Sequence, residues 1–473
     1  MLLAILVALV ALPTIAFKVL RLLLRRDYMN RRLHTLSILR PEDGRHSTCI
    51  VGFFHPYADA GGGGERVLWA AIEAIQAKMP HCVCVIYMGG PKREKTELLR
   101  HVRTRFGIEI EEETVGFEFL TTRSWLEASK YPRFTLLGQS FGSLIVAWEA
   151  LSLLVPDIFV DTTGYAFTYP LAKAVGGCRV LAYVHYPTIS TDMLNAVSSR
   201  SSSYNNSPDI ASSPTLTSGK KMYYQAFATV YRWVGWFADR AVVNSSWTKA
   251  HIDSLWATNA SVLYPPCDTT FLSSLTLEDR EPFVVSVAQF RPEKNHALQI
   301  RAFHKACEHD PKATEDARLV LVGSVRGTED QARVRELEDL AKSLGIEKRV
   351  QIIVNAGYEE VVQRLRLSRV GLHTMCNEHF GIGVVELMAA GLITIAHNSG
   401  GPKEDIITSY KGGPTGLLAE TEEEFSSAIL KALTLPEEER KEMIARARAR
   451  VGEFSGSAFQ RDWVRYLGPY MFA

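Results

Sequence analysis

The sequence predicts an α/β protein: two doubly wound parallel-sheet domains behind an N-terminal membrane helix. Three observations predict it. The chain has 473 residues, more than one hydrophobic core of about 100–200 residues usually serves. Short, continuously apolar runs alternate with segments of helical spacing, the pattern of strands buried on both faces by crossover helices. The alternation stops near Tyr264-Pro265-Pro266 and then restarts.

The opening segment Met1–Phe17 carries no charge and is followed by Lys18, Arg21, Arg25, Arg26, Arg31 and Arg32. Seventeen apolar residues lie near the lower limit of about 17–25 for a spanning helix, and Lys18 and Arg21 can snorkel to lengthen it. A cleaved signal peptide is the rival, but it carries its positive charge before the apolar run. A retained anchor over 1–26, with the cations on the cytosolic side, is the expectation.

Cys49–Phe53 reads as a strand, Gly61–Gly64 as a turn and Glu65–Lys78 as a helix; Cys82–Ile86, Leu136–Leu137, Ile158–Val160 and Arg179–Val184 are further strand candidates. The first domain is placed at 47–265. Inside it, 198–221 is rich in Ser, Pro and Asn and cannot bury a core. Met222–Ala238 then gathers seven aromatic residues. It suits either a core helix or an interfacial helix at the bilayer surface. The second domain, 275–450, has strand candidates Phe283–Val287, Leu319–Val322, Val350–Ile353, Val370–Leu372 and Ile393–Ala396, with helices at Ala297–Cys307 and Gln331–Leu344. A segment 451–473 follows, expected to pack back on the first domain. Two such domains make a cleft, and α/β sheets bind ligands beyond the carboxyl ends of their strands.

The net charge of +1 gives no nucleic-acid signal. Seven cysteines form no disulfide framework or zinc knuckle; Cys82-x-Cys84 fits two side chains on one face of a buried strand. A reducing compartment follows. The chain has no Asp-x-Asp sequence and no His/Cys cluster with ligand spacing, so no metal is expected.

Four strings carry chemistry. In Asn377–Gly401, NEHFGIGVVELMAAGLITIAHNSGG, Glu378 falls in a loop after a strand and Glu386 in the first turn of a helix Gly383–Ala390. Gly381 and Gly383 let that helix N-terminus approach an anion such as a diphosphate. In Ser286–His296, SVAQFRPEKNH, Arg291 and Lys294 stand at a strand's carboxyl end, where a leaving diphosphate needs neutralising. From His55, HPYADAGGGGERV offers Gly61, Gly62, Gly63 and Gly64 as either a flexible turn or a backbone cradle; it is neither a P-loop nor G-x-G-x-x-G. VHYP ends a strand with His185, read as a sugar contact or as an ordinary structural histidine.

Together these strings resemble the retaining glycosyltransferases of family four, which have the GT-B fold. HPYADAGGGGERVLW, FRPEKNH and NEHFGIGVVELMAAG resemble the GDP-mannose-dependent alpha-1,2-mannosyltransferases of the dolichol pathway. The resemblance implies transfer of the fourth and fifth mannoses to Man3GlcNAc2-diphosphate-dolichol on the cytosolic face of the endoplasmic reticulum. It implies a single-pass membrane enzyme whose substrates are GDP-mannose and the dolichol-linked acceptor. It allows a complex with other mannosyltransferases of the pathway. By motif, Glu378 would contact the transferred mannose, Glu386 the ribose and Lys294 the diphosphate. Backbone around Phe380, Gly381 and Ile382 would hold hexose and phosphate, and His185 would reach the sugar. The wider superfamily often has Arg five positions before the lysine; here Gln289 occupies that position and Arg291 stands three before Lys294, so either is a candidate for the second phosphate contact. Alternatives are another lipid acceptor, a non-catalytic membrane scaffold on a degenerate transferase, and a nucleotide-sugar epimerase or hydrolase.

Overall fold

The computed structural model describes residues 18–24, 26–39, 48–190, 193 and 214–471. The apolar run Met1–Phe17 and most of the Ser-rich insertion lie outside the described residues. The chain divides into two compact units. The first takes residues up to Asn244, Thr248–Leu263 and Gln460 onward; the second takes Ser245–Trp247 and Tyr264–Phe459.

In the first unit the strands are β1 (Cys49–Phe54), β2 (Cys82–Gly89), β3 (Val115–Leu120), β4 (Ile158–Asp161), β5 (Arg179–Val184), β6 (Arg240–Val243) and β7 (Ser261–Val262). Among the described residues they form one parallel sheet in the order β3-β2-β1-β4-β5-β6-β7. Every residue of β2 is buried, because helices cover both faces; this is why the run reads as continuously apolar. Cys82 and Cys84 lie buried on this strand, Cys49 pairs in register with Cys82, and all seven cysteines are free thiols. The aromatic segment belongs to the helix Pro214–Gly235, whose Tyr224, Phe227, Tyr231 and Val234 enter the core.

The second unit repeats the plan with β8 (Glu281–Val287), β9 (Arg318–Gly323), β10 (Val350–Val354), β11 (Ser368–His373), β12 (Ile393–His397), a small antiparallel pair β13 (Ser409–Tyr410) and β14 (Gly413–Pro414), and β15 (Leu417–Ala419). Its parallel order is β10-β9-β8-β11-β12-β15. In both units the order of connection reverses beside the first strand. The switch points lie between β1 and β4 and between β8 and β11, where doubly wound sheets hold ligands.

Two expectations need correction, and one strand carries no sequence signal. Leu136–Leu137 is not a strand but lies inside the helix Thr135–Leu153: the apolar residues continue at helical spacing through Leu144, Val146 and Ala150. That helix is long and apolar enough to cross a membrane by length and composition, with 39% of its most apolar stretch buried. The edge strand β3 escapes sequence reading because Gly116 and Glu118 interrupt its apolar pattern and four of its six residues are only partly buried. Glu386 lies in the second turn, not the first, of a helix that runs Ile382–Ala389 and has no acidic residue in its first turn.

Candidate functional site

In the second unit, two loops leave adjacent strands at the switch point. The loop after β8 contains Gln289 and Arg291 and ends in a short 3-10 turn Pro292–Lys294. The loop after β11 contains Glu378. Thr374 latches them: its Oγ1 lies 2.8 Å from Lys294 O and 3.1 Å from Asn295 O, and Gln299 Nε2 donates to it at 2.9 Å.

Lys294 Nζ donates to Glu378 Oε2 at 2.6 Å and lies 3.0 Å from Met375 Sδ. His373 Nε2 donates to the same carboxylate oxygen at 3.1 Å. Burial pushes the Glu378 carboxyl up, but the His373 hydrogen bond and the Lys294 charge outweigh it and hold the group well below the usual carboxylate range. Lys294 and Glu378 fall in separate strings of the sequence; the structure brings them together. His373, one residue beyond the strand candidate Val370–Leu372, carries no sequence signal of its own.

The backbone is shaped to hold Glu378 there. Gly381 has φ +109° and caps the helix Ile382–Ala389, so the first amides, Ile382 and Gly383, precede the first helical hydrogen bond. A Cβ on Gly383 would sit 3.7 Å from Val287 O at the end of β8. Gly401 N donates to Glu378 O at 2.8 Å, and Gly400, with φ +63°, leaves no room for a Cβ: it would fall 2.2 Å from Glu378 O. The Gly-Gly pair is thus the floor under the Glu378 loop. Phe380 is 2% exposed, its ring packed on Tyr264 and Phe454; only its backbone is left for a ligand. Glu386 is half-buried on the same helix. Arg291 lies 3.9 Å from Glu293 Oε1, and Gln289 O accepts the Arg291 N–H at 2.8 Å.

His296 opens the next helix, His296–His309. It is 2% exposed, and among the described residues neither ring nitrogen has a hydrogen-bond partner. Burial, helped by His373 and Lys294 nearby, pushes it down to about 4.

The first unit places its own polar groups at the carboxyl ends of β1, β4 and β5. His55 is 1% exposed, with Nδ1 2.7 Å from Thr162 Oγ1 and Nε2 3.3 Å from Glu65 Oε1. Burial raises the Glu65 carboxyl, and the His55 contact and Gly62 N–H outweigh it. Glu65 thereby pins the glycine turn: Gly62 caps the helix Gly63–Lys78, Gly61 has φ +77°, and Gly63 and Gly64 lie within the first turn. His185 follows β5, its ring 4.8 Å from Tyr183, and a Cβ on Gly64 would stand 3.6 Å from its Nε2. Of the four glycines it is Gly64 that faces His185 closely, which spacing alone does not reveal. Asp161 ends β4 fully buried, accepting from Tyr169 at 2.7 Å and from the Thr163 and Gly164 amides. Sequence spacing does not single out His55, Glu65 or Asp161, although the first two lie in the glycine string. A cavity of about 450 Å³, lined by Leu24, Tyr28, Cys49, Asp157, Arg179 and Tyr470 among others, lies at the opposite, amino ends of these strands.

Residues 48–256 match the family model "ALG11 mannosyltransferase N-terminus", and 269–450 match "Glycosyl transferases group 1". A mouse protein described as GDP-Man:Man(3)GlcNAc(2)-PP-Dol alpha-1,2-mannosyltransferase is 46% identical over 433 residues, spanning 90% of this chain and 87% of that protein. The chain belongs to this family. A Dictyostelium discoideum member is 45% identical over 434 residues, 89% of this chain and 85% of its own. Among solved structures, Anabaena Alr3699/HepE in complex with UDP-glucose matches with TM-score 0.60 at 16% identity, over 89% of this chain and all of that one. A Burkholderia vietnamiensis alpha,alpha-trehalose-phosphate synthase matches with TM-score 0.64 at 13% identity and the same coverage. These two carry the fold, which is GT-B, and the family relatives make the chain a glycosyltransferase.

Proposed function

We propose that the chain transfers mannose from GDP-mannose to Man3GlcNAc2-diphosphate-dolichol in α-1,2 linkage, adding the fourth and fifth mannoses. Family membership supports the substrates, since the relatives carry them in their names. The observation that carries the reading is the Lys294–Glu378–His373 cluster at the switch point of the second unit.

Lys294 and the N-terminal amides of Ile382–Ala389 supply positive charge where a diphosphate departs. Glu378, kept ionised, meets the mannose; Glu386 meets the ribose; backbone from Phe380 to Ile382 orients hexose and phosphate. His185, beside Gly64, contacts the sugar from the first unit, with Gly61, Gly62 and Gly63 lining the same loop. Retention of configuration proceeds on the front face: the acceptor hydroxyl attacks where the phosphate leaves, and the phosphate oxygen takes its proton. Positioning and charge stabilisation then lower the barrier without a metal ion. The protein sits in the endoplasmic reticulum membrane through Met1–Phe17, with its catalytic body in the cytosol.

Incubating purified protein with radiolabelled GDP-mannose and the dolichol-diphosphate pentasaccharide tests the reaction. Two added mannoses in α-1,2 linkage are expected; no transfer, or transfer only to another lipid acceptor, overturns it.

A further inference from the structure

We propose that the outer faces of two helices of the first unit, Thr135–Leu153 and Pro214–Gly235, form a surface that seats directly in the headgroup layer of a lipid bilayer. A helix on a water-facing surface has one apolar stripe, turned inward. The helix Pro214–Gly235 has two. Tyr224, Phe227, Tyr231 and Val234 face the core, at most 7% exposed. On the opposite side Met222, Ala226, Val230 and Trp233 follow one another at steps of four, four and three, with Met222 69%, Val230 44% and Trp233 52% exposed and Trp236 62% exposed just beyond. The neighbouring helix continues the patch. Phe134, Leu137 and Phe141, at steps of three and four, are 65%, 48% and 59% exposed. The two helices meet where the Phe134 and Tyr223 rings stand 5.4 Å apart, edge to face, and the Leu137 N–H donates to Tyr223 Oη at 3.3 Å.

Charge selects the occupant. The two helices contain a single carboxylate, Glu149, and it turns away to accept hydrogen bonds from Thr121 and Thr122. The same helix carries the cations Lys220, Lys221 and Arg232, with Lys220 Nζ over the Tyr224 ring and Arg232 donating to Leu255 O and Ser254 O. Apolar and tryptophan side chains on helices that carry cations and a single engaged carboxylate match the acyl–headgroup boundary of an anionic leaflet. The unit also begins with the uncharged run Met1–Phe17, and Val19, Leu22 and Leu23 behind it are 51%, 73% and 55% exposed. The surface backs onto the site: buried Tyr231 accepts the Thr188 N–H at 3.4 Å, three residues beyond His185. Seating the helix would thereby hold the loop after β5 at a fixed depth, where a lipid-linked acceptor presents its sugars.

Tryptophan fluorescence of the full chain in phosphatidylcholine–phosphatidylserine vesicles tests this without reference to transfer activity. Lipids brominated high on their acyl chains should quench the native protein. The Trp233→Phe/Trp236→Phe variant, which removes two of the eight tryptophans, should lose most of that quenching while keeping its circular dichroism and melting temperature. Trp236 Nε1 donates to Trp256 O, so Trp233→Phe alone serves if the double variant unfolds, and it too must lower the quenching. Equal quenching of native and variant chains overturns the proposal. So does a native dimer in detergent that the variant converts to monomer, which would assign the face to a second copy.

Discussion

Lys294 and Glu378 share a single 2.6 Å contact, so their contributions are coupled rather than independent. Lys294→Ala should slow transfer by about 10²–10³-fold, the usual cost of removing one group that stabilises developing charge. Glu378→Gln should reduce turnover more than GDP binding, whereas Glu386→Ala should weaken GDP binding. Because the ion pair is one unit, the Lys294→Ala/Glu378→Gln double variant should be scarcely slower than the worse single variant; additive losses in a double-mutant cycle would separate the two roles. Gln289→Ala and Arg291→Ala, measured alongside, show which of them shares the phosphate. His296 gives a pH dependence of the opposite kind from a paired histidine. The unfolded chain takes up this proton near the ordinary value of 6.5, the folded chain only near 4. Its contribution is therefore complete above pH 6.5 and declines as the pH falls toward 4, by roughly 3 kcal/mol at the acid end. Urea unfolding of native protein and His296→Leu across this range should show the native slope and a flatter variant; identical slopes would exclude His296 as its source.

At the scale of elements, Gly400 and Gly412 separate backbone conformation from contact. Both have positive φ, +63° and +85°, but a Cβ on Gly400 strikes Glu378 O whereas one on Gly412 meets nothing within 4 Å. Each Ala substitution should cost about 1–3 kcal/mol in stability through backbone strain. Gly400→Ala should in addition displace the Glu378 loop and lose transfer, while Gly412→Ala keeps it; equal activity in the two would show that the close approach does not position Glu378. The sequence makes this loop legible because its chemistry is local: Glu378, Gly381 and Gly400-Gly401 fall within one string. The buried strands β1, β2, β5 and β9 are legible for the same reason, since burial on both faces requires continuous apolar runs. What stays hidden depends on distant partners. His373 becomes a ligand for Glu378 only through the turn after β11. His55 and Glu65 become a buried pair only once β1 and the following helix are placed. Leu136–Leu137, inside the helix Thr135–Leu153, reads as a strand because, taken alone, it fits either period.

For the whole molecule, two proposed properties are measurable. Charge at the diphosphate is assigned to Lys294 and a helix N-terminus, so transfer should continue in chelator; complete loss restored by Mg²⁺ or Mn²⁺ would contradict that assignment. Membrane attachment gives the more informative experiment. The acceptor's polyprenyl chain stays in the bilayer, and an enzyme held at the same surface searches two dimensions rather than three, which raises effective concentration. Leu24 is 4% exposed and belongs to the core of the first unit, with Leu20 packed against it. A deletion through residue 26 would therefore damage the fold, whereas one ending at Phe17 spares these side chains. Removing residues 1–17 should lower transfer to a bilayer-embedded acceptor by about tenfold or more, with little change toward a short-chain analogue in detergent. Equal losses on both acceptors would point to damage in the fold instead of lost attachment. The Trp233–Trp236 surface should leave part of the truncated protein bound to vesicles, and adding Trp233→Phe/Trp236→Phe should release it. In sealed microsomes, protease should digest the body of the full chain from outside without detergent, because the cations from Lys18 to Arg32 favour the cytosolic side. Protection until the membrane is dissolved would place the body in the lumen and reverse the topology.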